Sequence, residues 1–105
     1  MQFLNLMDYP TICIPKVELK LKKNDILTIF QKYHLGKIKK VDLIPFGKFK
    51  KAFIHLNWDL SNQKSKHVRD LLLNKKSIKI IYNYNHGWYW ICSASISQQN
   101  LPKIN

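Results

Sequence analysis

Apolar positions along the chain change their period several times, and each change marks an element. The run Thr11-Ile-Cys-Ile-Pro-Lys-Val17 is β-branched and alternating, which predicts a short strand whose pairing is interrupted at Pro15. The ten residues before it predict an irregular lead-in. From Asn24 onward Ile26, Leu27, Phe30 and Tyr33 recur at helical spacing, behind an Asn/Asp start and ahead of Gly36, which predicts a helix of about ten residues. Lys37 to Ile44 returns to strand composition, and Pro45-Phe-Gly-Lys48 predicts a turn or loop. A third strand is predicted over Lys51 to Leu56, ending near Trp58. Asp59 to Lys64 is polar and loop-like. Ser65 is the expected cap of a second helix that carries Val68, Leu71 and Leu72 on one side and ends around Asn74. Two further strand-like runs, Ile78 to Tyr84 and Trp88 to Cys92, flank Asn85-His86-Gly87, the composition of a hairpin loop. The last ten residues predict a frayed tail. The element order is β-α-β-β-α-β with one extra C-terminal strand, an α+β domain over residues 11–95.

At 105 residues the chain has room for one core. A 46% hydrophobic share with 12% aromatic residues is enough apolar surface to fill it. Lys and Arg together number 18 against 6 acidic residues, giving a formal charge of +12, and Arg69 is the one arginine. Such an excess favours a polyanionic partner. A lysine ammonium suits phosphate, whereas bidentate reading of a guanine edge is commonly done by arginine, so the charge points to backbone affinity more than sequence readout. Lysine abundance also fits an AT-rich coding genome and a merely solvated surface. No stretch approaches the roughly 20 apolar residues of a membrane span, and the N-terminus lacks a basic region followed by a long apolar run. An intracellular, soluble protein, cytoplasmic or nuclear and without a membrane partner, is expected. Cys13 and Cys92 have no CxxC or Cys/His ligand spacing, so reduced thiols are expected, with no zinc and no disulfide.

Several residues resemble the RNA recognition motif over about residues 11–84. Ile12-Cys13-Ile14, closed by Val17, matches the aliphatic-aromatic-aliphatic strand of that family's first short motif without its aromatic ring. Ala52-Phe53-Ile54-His55-Leu56 matches the closing half of the second motif, and Phe49-Lys50-Lys51 stands where the family has basic-glycine-aromatic. Leu35-Gly36-Lys37-Ile38, Lys40-Val41-Asp42 and Asn74 to Ile80 resemble its helix-to-strand junctions. The resemblance implies a ferredoxin-like sandwich, an antiparallel sheet backed by two helices whose open face binds RNA. Ile-Pro-Lys-Val near the start, Ala-Phe-Ile-His in the middle and Trp-Tyr-Trp near the end also look similar to small Lys-rich proteins of large DNA viruses.

Strand alternation sorts the faces. Ala52, Ile54 and Leu56 are expected to face the helices, leaving Lys51, Phe53 and His55 outward. Phe53 is the stacking candidate, and His55 is a polar contact or a solvated side chain. On strand 1, Cys13 faces outward where a ring usually takes a base. On strand 4, Lys79, Ile81 and Asn83 are expected to share that face with Phe53. If Tyr84 pairs opposite Trp88, both tryptophans lie on the helix side and Tyr89 lies outward; a one-residue slip reverses this. The tail folding over the sheet is a further possibility. Lys48, Lys50 and Lys51 follow the turn between strands 2 and 3, which members of the family often wrap around nucleic acid.

Chemistry for catalysis is sparse. His34, His55, His67 and His86 have no carboxylate at a suggestive spacing, Ser65 and Ser93 lack a nucleophile motif, and no glycine-rich phosphate loop or His/Cys cluster stands out. No enzyme, cofactor, metal or small-molecule substrate is expected. Two functions remain. One is a binding module for single-stranded RNA, or less readily single-stranded DNA, using Phe53, Tyr89 and lysines. The other is a protein-interaction or structural domain of a ribonucleoprotein or virion, using Cys13, Phe53, Ile81 and Tyr89 as an apolar patch.

Overall fold

The computed structural model describes residues 6–95; residues 1–5 and the expected frayed tail, with its suggested path over the sheet, lie outside them. A short 3-10 turn, Leu6–Asp8, is followed by β1 Ile12–Val17, α1 Lys23–Gln31, β2 Gly36–Phe46, β3 Phe49–Trp58, α2 Gln63–Leu73, β4 Ile78–Asn83 and β5 Trp88–Ala94. The strands form one antiparallel sheet in the order β2-β3-β1-β5-β4. The extra strand does lie beside β4, as expected, but it is inserted between β4 and β1. β4 thereby becomes an edge strand.

Alternation along the central strands builds the core. Ile12 and Ile14 on β1, Ala52, Ile54, Leu56 and Trp58 on β3, and Trp90 and Cys92 on β5 are buried together with Ile26 and Phe30 of α1 and Leu72 of α2. Burying each large aliphatic or aromatic side chain contributes about 1.5–3 kcal/mol. The Trp90 indole stacks between Phe30, at 6.3 Å, and Tyr82, at 4.5 Å between ring centroids. Its Nε1–H is buried without a partner among the described residues, so its packing offsets a desolvated donor.

Local signals resolve differently from the sequence expectation in three places. Gly36 does not stop α1; the left-handed residue after the helix is His34, at φ 53°. Gly36 opens β2, where a Cβ would run into the Asn57 carbonyl and stand 2.8 Å from Trp58 Cα, so close approach of β3 demands glycine. Pro45 and Phe46 extend β2 instead of forming a loop, because β2 is an edge strand and tolerates a residue without N–H. The β2–β3 turn is therefore just Gly47-Lys48, with Gly47 at φ 63°. The α2 cap is Asn62, whose side chain accepts from Lys64 N at 2.9 Å, while Ser65 is buried in the first turn and donates to the Asp59 and Asn62 carbonyls. At Pro15 the expected break is present, as an irregularity between Ile14 and Val17 in the β1–β3 pairing.

The free edge of β4 is plugged from within. The Tyr33 hydroxyl accepts from Ile81 N at 2.9 Å and donates to Ile81 O at 3.1 Å, standing in for a neighbouring strand. Burial, reinforced by the nearby Tyr84 hydroxyl, pushes the Tyr33 phenol up to about 12.

The lead-in is ordered by the arginine. Arg69 of α2 donates through Nε to Tyr9 O and through a terminal nitrogen to Leu6 O, both at 2.7 Å, and Trp58 Nε1 donates to Pro10 O at 3.0 Å. Charge-assisted bonds of this kind contribute roughly 1.5–3 kcal/mol each. Arg69→Ala should therefore lower stability by about 2 kcal/mol in a urea titration, with amide exchange accelerated over residues 6–10. Unchanged exchange in that segment would show that the arginine does not hold it.

Candidate nucleic-acid interface on the open sheet face

Side chains of odd-numbered β3 residues point away from the helices. Phe49, Lys51, Phe53, His55 and Asn57 form the outward column of β3, and the register places Phe46, Ile44, Asp42, Lys40 and Lys37 of β2 beside them in that order. On the other flank, Cys13 of β1 pairs with Phe53, and Ser93 of β5 pairs with Cys13. Tyr89 and Ile91 continue the β5 column outward, opposite Ile81 and Lys79 of β4. A row Asp42, Phe53, Cys13, Ser93 thus crosses four strands.

The Trp-Tyr-Trp parity comes out as favoured, with Trp90 in the core and Tyr89 on the open face, although Trp88 pairs with Asn83 and not with Tyr84. A bulge at Tyr82 absorbs the difference. Tyr89 is 47% exposed. It is four residues along β5 from Ser93 and two strands across from Phe53, a separation of roughly 16 Å, so the two rings cannot serve the same base.

Lysines stand over rings on this face. The ammonium of Lys51 is 4.1 Å from the Phe46 ring centre, that of Lys16 4.4 Å from Phe49, and that of Lys79 4.8 Å from Tyr89. Each such contact is worth about 0.5–1 kcal/mol at an exposed position. That energy is about RT to twice RT, enough to bias where the charge sits.

Other candidate residues are placed differently. Lys50 turns to the opposite side, where its ammonium donates to Leu21 O at 2.9 Å, so it does not join Lys51. Lys48 is exposed at the tip of the β2–β3 turn. Lys79 and Ile81 are on the open face but at its far margin, because β5 separates β4 from β1. The Asn83 side chain accepts from His86 N at 3.1 Å and so shapes the β4–β5 turn. Cys13 is half-buried, and burial raises its thiol pKa against the opposing pull of Lys51. Neutral and small, it leaves a shallow spot between Phe53 and Ser93.

His55 has a carboxylate partner that sequence spacing concealed. Its Nε2 lies 2.9 Å from Asp42 Oδ2 and its Nδ1 3.3 Å from Thr11 Oγ1, and Lys40 reaches the same carboxylate at 3.7 Å. With a hydrogen on Nε2 the ring donates to Asp42, and the Thr11 hydroxyl meets Nδ1 as donor or acceptor. The chain of Thr, His and Asp offers no nucleophile to a substrate, since Thr11 is only 3% exposed. Asp8 holds the other end of the face, accepting from Asn57 Nδ2 at 2.9 Å and from Lys39 at 3.2 Å. Among the described residues no group of three or more His, Cys, Asp and Glu is arranged to hold a metal, and no helix is long and apolar enough to cross a membrane.

Phe46, Phe49, Lys16, Ile44 and Ile91 are open-face residues beyond the sequence candidates. Phe49 has the parity of Phe53 and was legible on that ground. Phe46 was not, because its placement needs the two-residue turn that pairs it with Phe49.

The His55 hydrogen bond, aided by Lys40, holds the Asp42 carboxyl below its ordinary range. A carboxylate whose folded pKa is depressed stabilises the fold above its unfolded pKa and loses that contribution as pH falls through the folded value. The stability difference between the parent and Asp42→Asn should accordingly be present at pH 6 and shrink as the pH falls below about 4, measured by thermal unfolding across that range. A difference independent of pH would remove the ion-pair account.

The chain matches no protein-family model, no curated protein and no solved structure.

Proposed function

We propose that the open sheet face is a non-catalytic binding surface for single-stranded nucleic acid, RNA in preference to DNA, with low sequence specificity. The observation that carries this reading is the stationing of Lys51, Lys16 and Lys79 over Phe46, Phe49 and Tyr89. A ring that holds an ammonium beside a flat apolar surface pre-positions phosphate contacts next to base-stacking ground, and pre-positioning lowers the ordering cost of binding. Phe53 and Tyr89 stack separate bases, and the phosphates between them pass the lysines. The formal charge of +12 supplies attraction at longer range.

Low specificity follows from what is already engaged. Arg69 is bound to lead-in carbonyls, His55 to Asp42 and Thr11, and Asn83 to the β4–β5 turn, so few side chains remain to read base edges. The preference for RNA rests on the likeness to the RNA recognition motif. With β4 set aside, β1, α1, β2, β3, α2 and β5 follow a ferredoxin-like β-α-β-β-α-β path with strands ordered β2-β3-β1-β5. β5, not β4, would then be the family's fourth strand, and β4 an added hairpin arm at the edge.

A second reading has its own observation. Ile44, Phe46, Tyr89 and Ile91 are each about half exposed, and Asp42 sits beside Phe53, which suits a protein surface as well as a base.

Salt and mutation separate them. Binding of a labelled mixed-sequence single-stranded RNA should weaken linearly in a log-log plot against salt. Phe53→Ala should cost about 1–3 kcal/mol, whereas Lys51→Ala should chiefly flatten the salt slope by about one unit. RNA affinity no better than that for heparin, and insensitive to both changes in folded protein, would transfer the face to a protein partner.

A further inference from the structure

On the helix side, between the β1–α1 connection, α1 and the β4–β5 hairpin, lies a pocket of about 360 Å³, within the size range of ligand sites. Its chemistry is the reverse of the open face. Tyr82 and Trp88 line one side, with ring centres 6.2 Å apart and planes inclined by 47°, so the two rings form a corner. Glu18 and Asp25, two of the six acidic residues in the chain, line the pocket with them. The Tyr82 hydroxyl donates to Glu18 Oε1 at 3.2 Å, fixing ring and carboxylate together, and Asp25 is steadied by Lys22 N at 2.8 Å. His86 stacks on Trp88 at 4.7 Å, and Trp88 is still 45% exposed.

An aromatic corner closed by carboxylates is the chemistry that takes up organic cations, since the ring quadrupoles and the carboxylate charge both attract an alkylammonium or guanidinium while the apolar walls accept its carbon atoms. We propose that this pocket binds an organic cation, independently of what the open face does. Lys20 shows the preference from within the chain. Lys20 itself lines the pocket, its ammonium 3.4 Å from Glu18, and with 73% of that side chain exposed the pair is weak and easily displaced. Lys20 is thus an internal competitor, which a ligand must swing aside.

Trp58 and Trp90 are buried, so a ligand entering the corner changes chiefly the emission of Trp88. The full chain would be titrated with tetramethylammonium chloride, with N-acetyl-lysine methylamide and with N-acetyl-arginine methylamide, against sodium chloride at matched ionic strength. A saturable fluorescence change is expected, with Kd raised roughly tenfold by Glu18→Gln, and lowered by Lys20→Ala because the competitor is gone. Saturation by the lysine or arginine derivative assigns the site to a basic peptide side chain, and saturation by tetramethylammonium assigns it to a free quaternary amine. Either outcome supports the pocket. No saturable change with any probe, or an equal change in folded Glu18→Gln, overturns it. Failure of the open face to bind RNA would leave this result untouched, because the variants lie on the opposite side of the sheet.

Discussion

Pairing of β5 against β1 governs where the β4 and β5 candidate groups lie. The contact is short, Ile12 with Ala94 and Cys13 with Ser93, yet it sets the phase of the whole of β5. With Ser93 outward beside Cys13, alternation sends Cys92 and Trp90 to the core and Ile91 and Tyr89 to the open face. A shift of one residue would expose three core side chains, including an indole stacked on both Phe30 and Tyr82, and bury Tyr89. The register is thereby fixed by burial on one face, and the open face inherits its rings from a requirement of the other.

The same insertion makes β4 an edge and creates the conditions for its protection. An edge strand presents unpaired N–H and C=O groups, a template for unwanted pairing. Tyr33 occupies the Ile81 groups with one hydroxyl, and the exposed Lys79 adds a charge two residues earlier. At the opposite edge, Pro45 lacks an N–H and a bulge interrupts the ladder between Ile38 and Lys40. Each edge is thus blunted by a different device. The broad faces, not the edges, are left as the surfaces for partners.

Most elements were legible because their apolar periods are clear: both helices and all five strands exist in the expected order, although β2 and β3 run two residues further into the Pro45 to Lys50 segment than expected. The inward row Ala52, Ile54, Leu56 and the outward row Lys51, Phe53, His55 came directly from parity. What alternation cannot supply is strand order. Nothing in the Ile78 to Tyr84 or Trp88 to Cys92 runs says which of them pairs with β1, and that choice moves Lys79 and Ile81 from the centre of the face to its margin. Nor can it supply partners remote in sequence. The Asp42 contact to His55 spans 13 positions and the Arg69 contact to Tyr9 spans 60, so both were invisible to local patterns. Lys50 is a subtler case: its parity with Ala52 already assigned it to the helix side, but its place in a lysine cluster suggested otherwise.

Charge, finally, is distributed with more discrimination than a net +12 implies. Lysines with rings beneath them occupy the open face, whereas Glu18 and Asp25 gather with Tyr82 and Trp88 on the other side of the sheet. Asp25 owes its place to capping the first turn of α1, and Glu18 joins it through the Tyr82 hydroxyl, so two of the six carboxylates come to one aromatic corner. Salt would also act unequally on the two faces' ligands. A polyanion on the open face releases condensed counterions and is strongly screened, while one cation in a partly enclosed corner is held over short distances and feels far less of the bulk ionic strength. The sheet therefore separates two electrostatic environments, and β5 contributes to both, Tyr89 to the basic face and Trp88 to the acidic pocket.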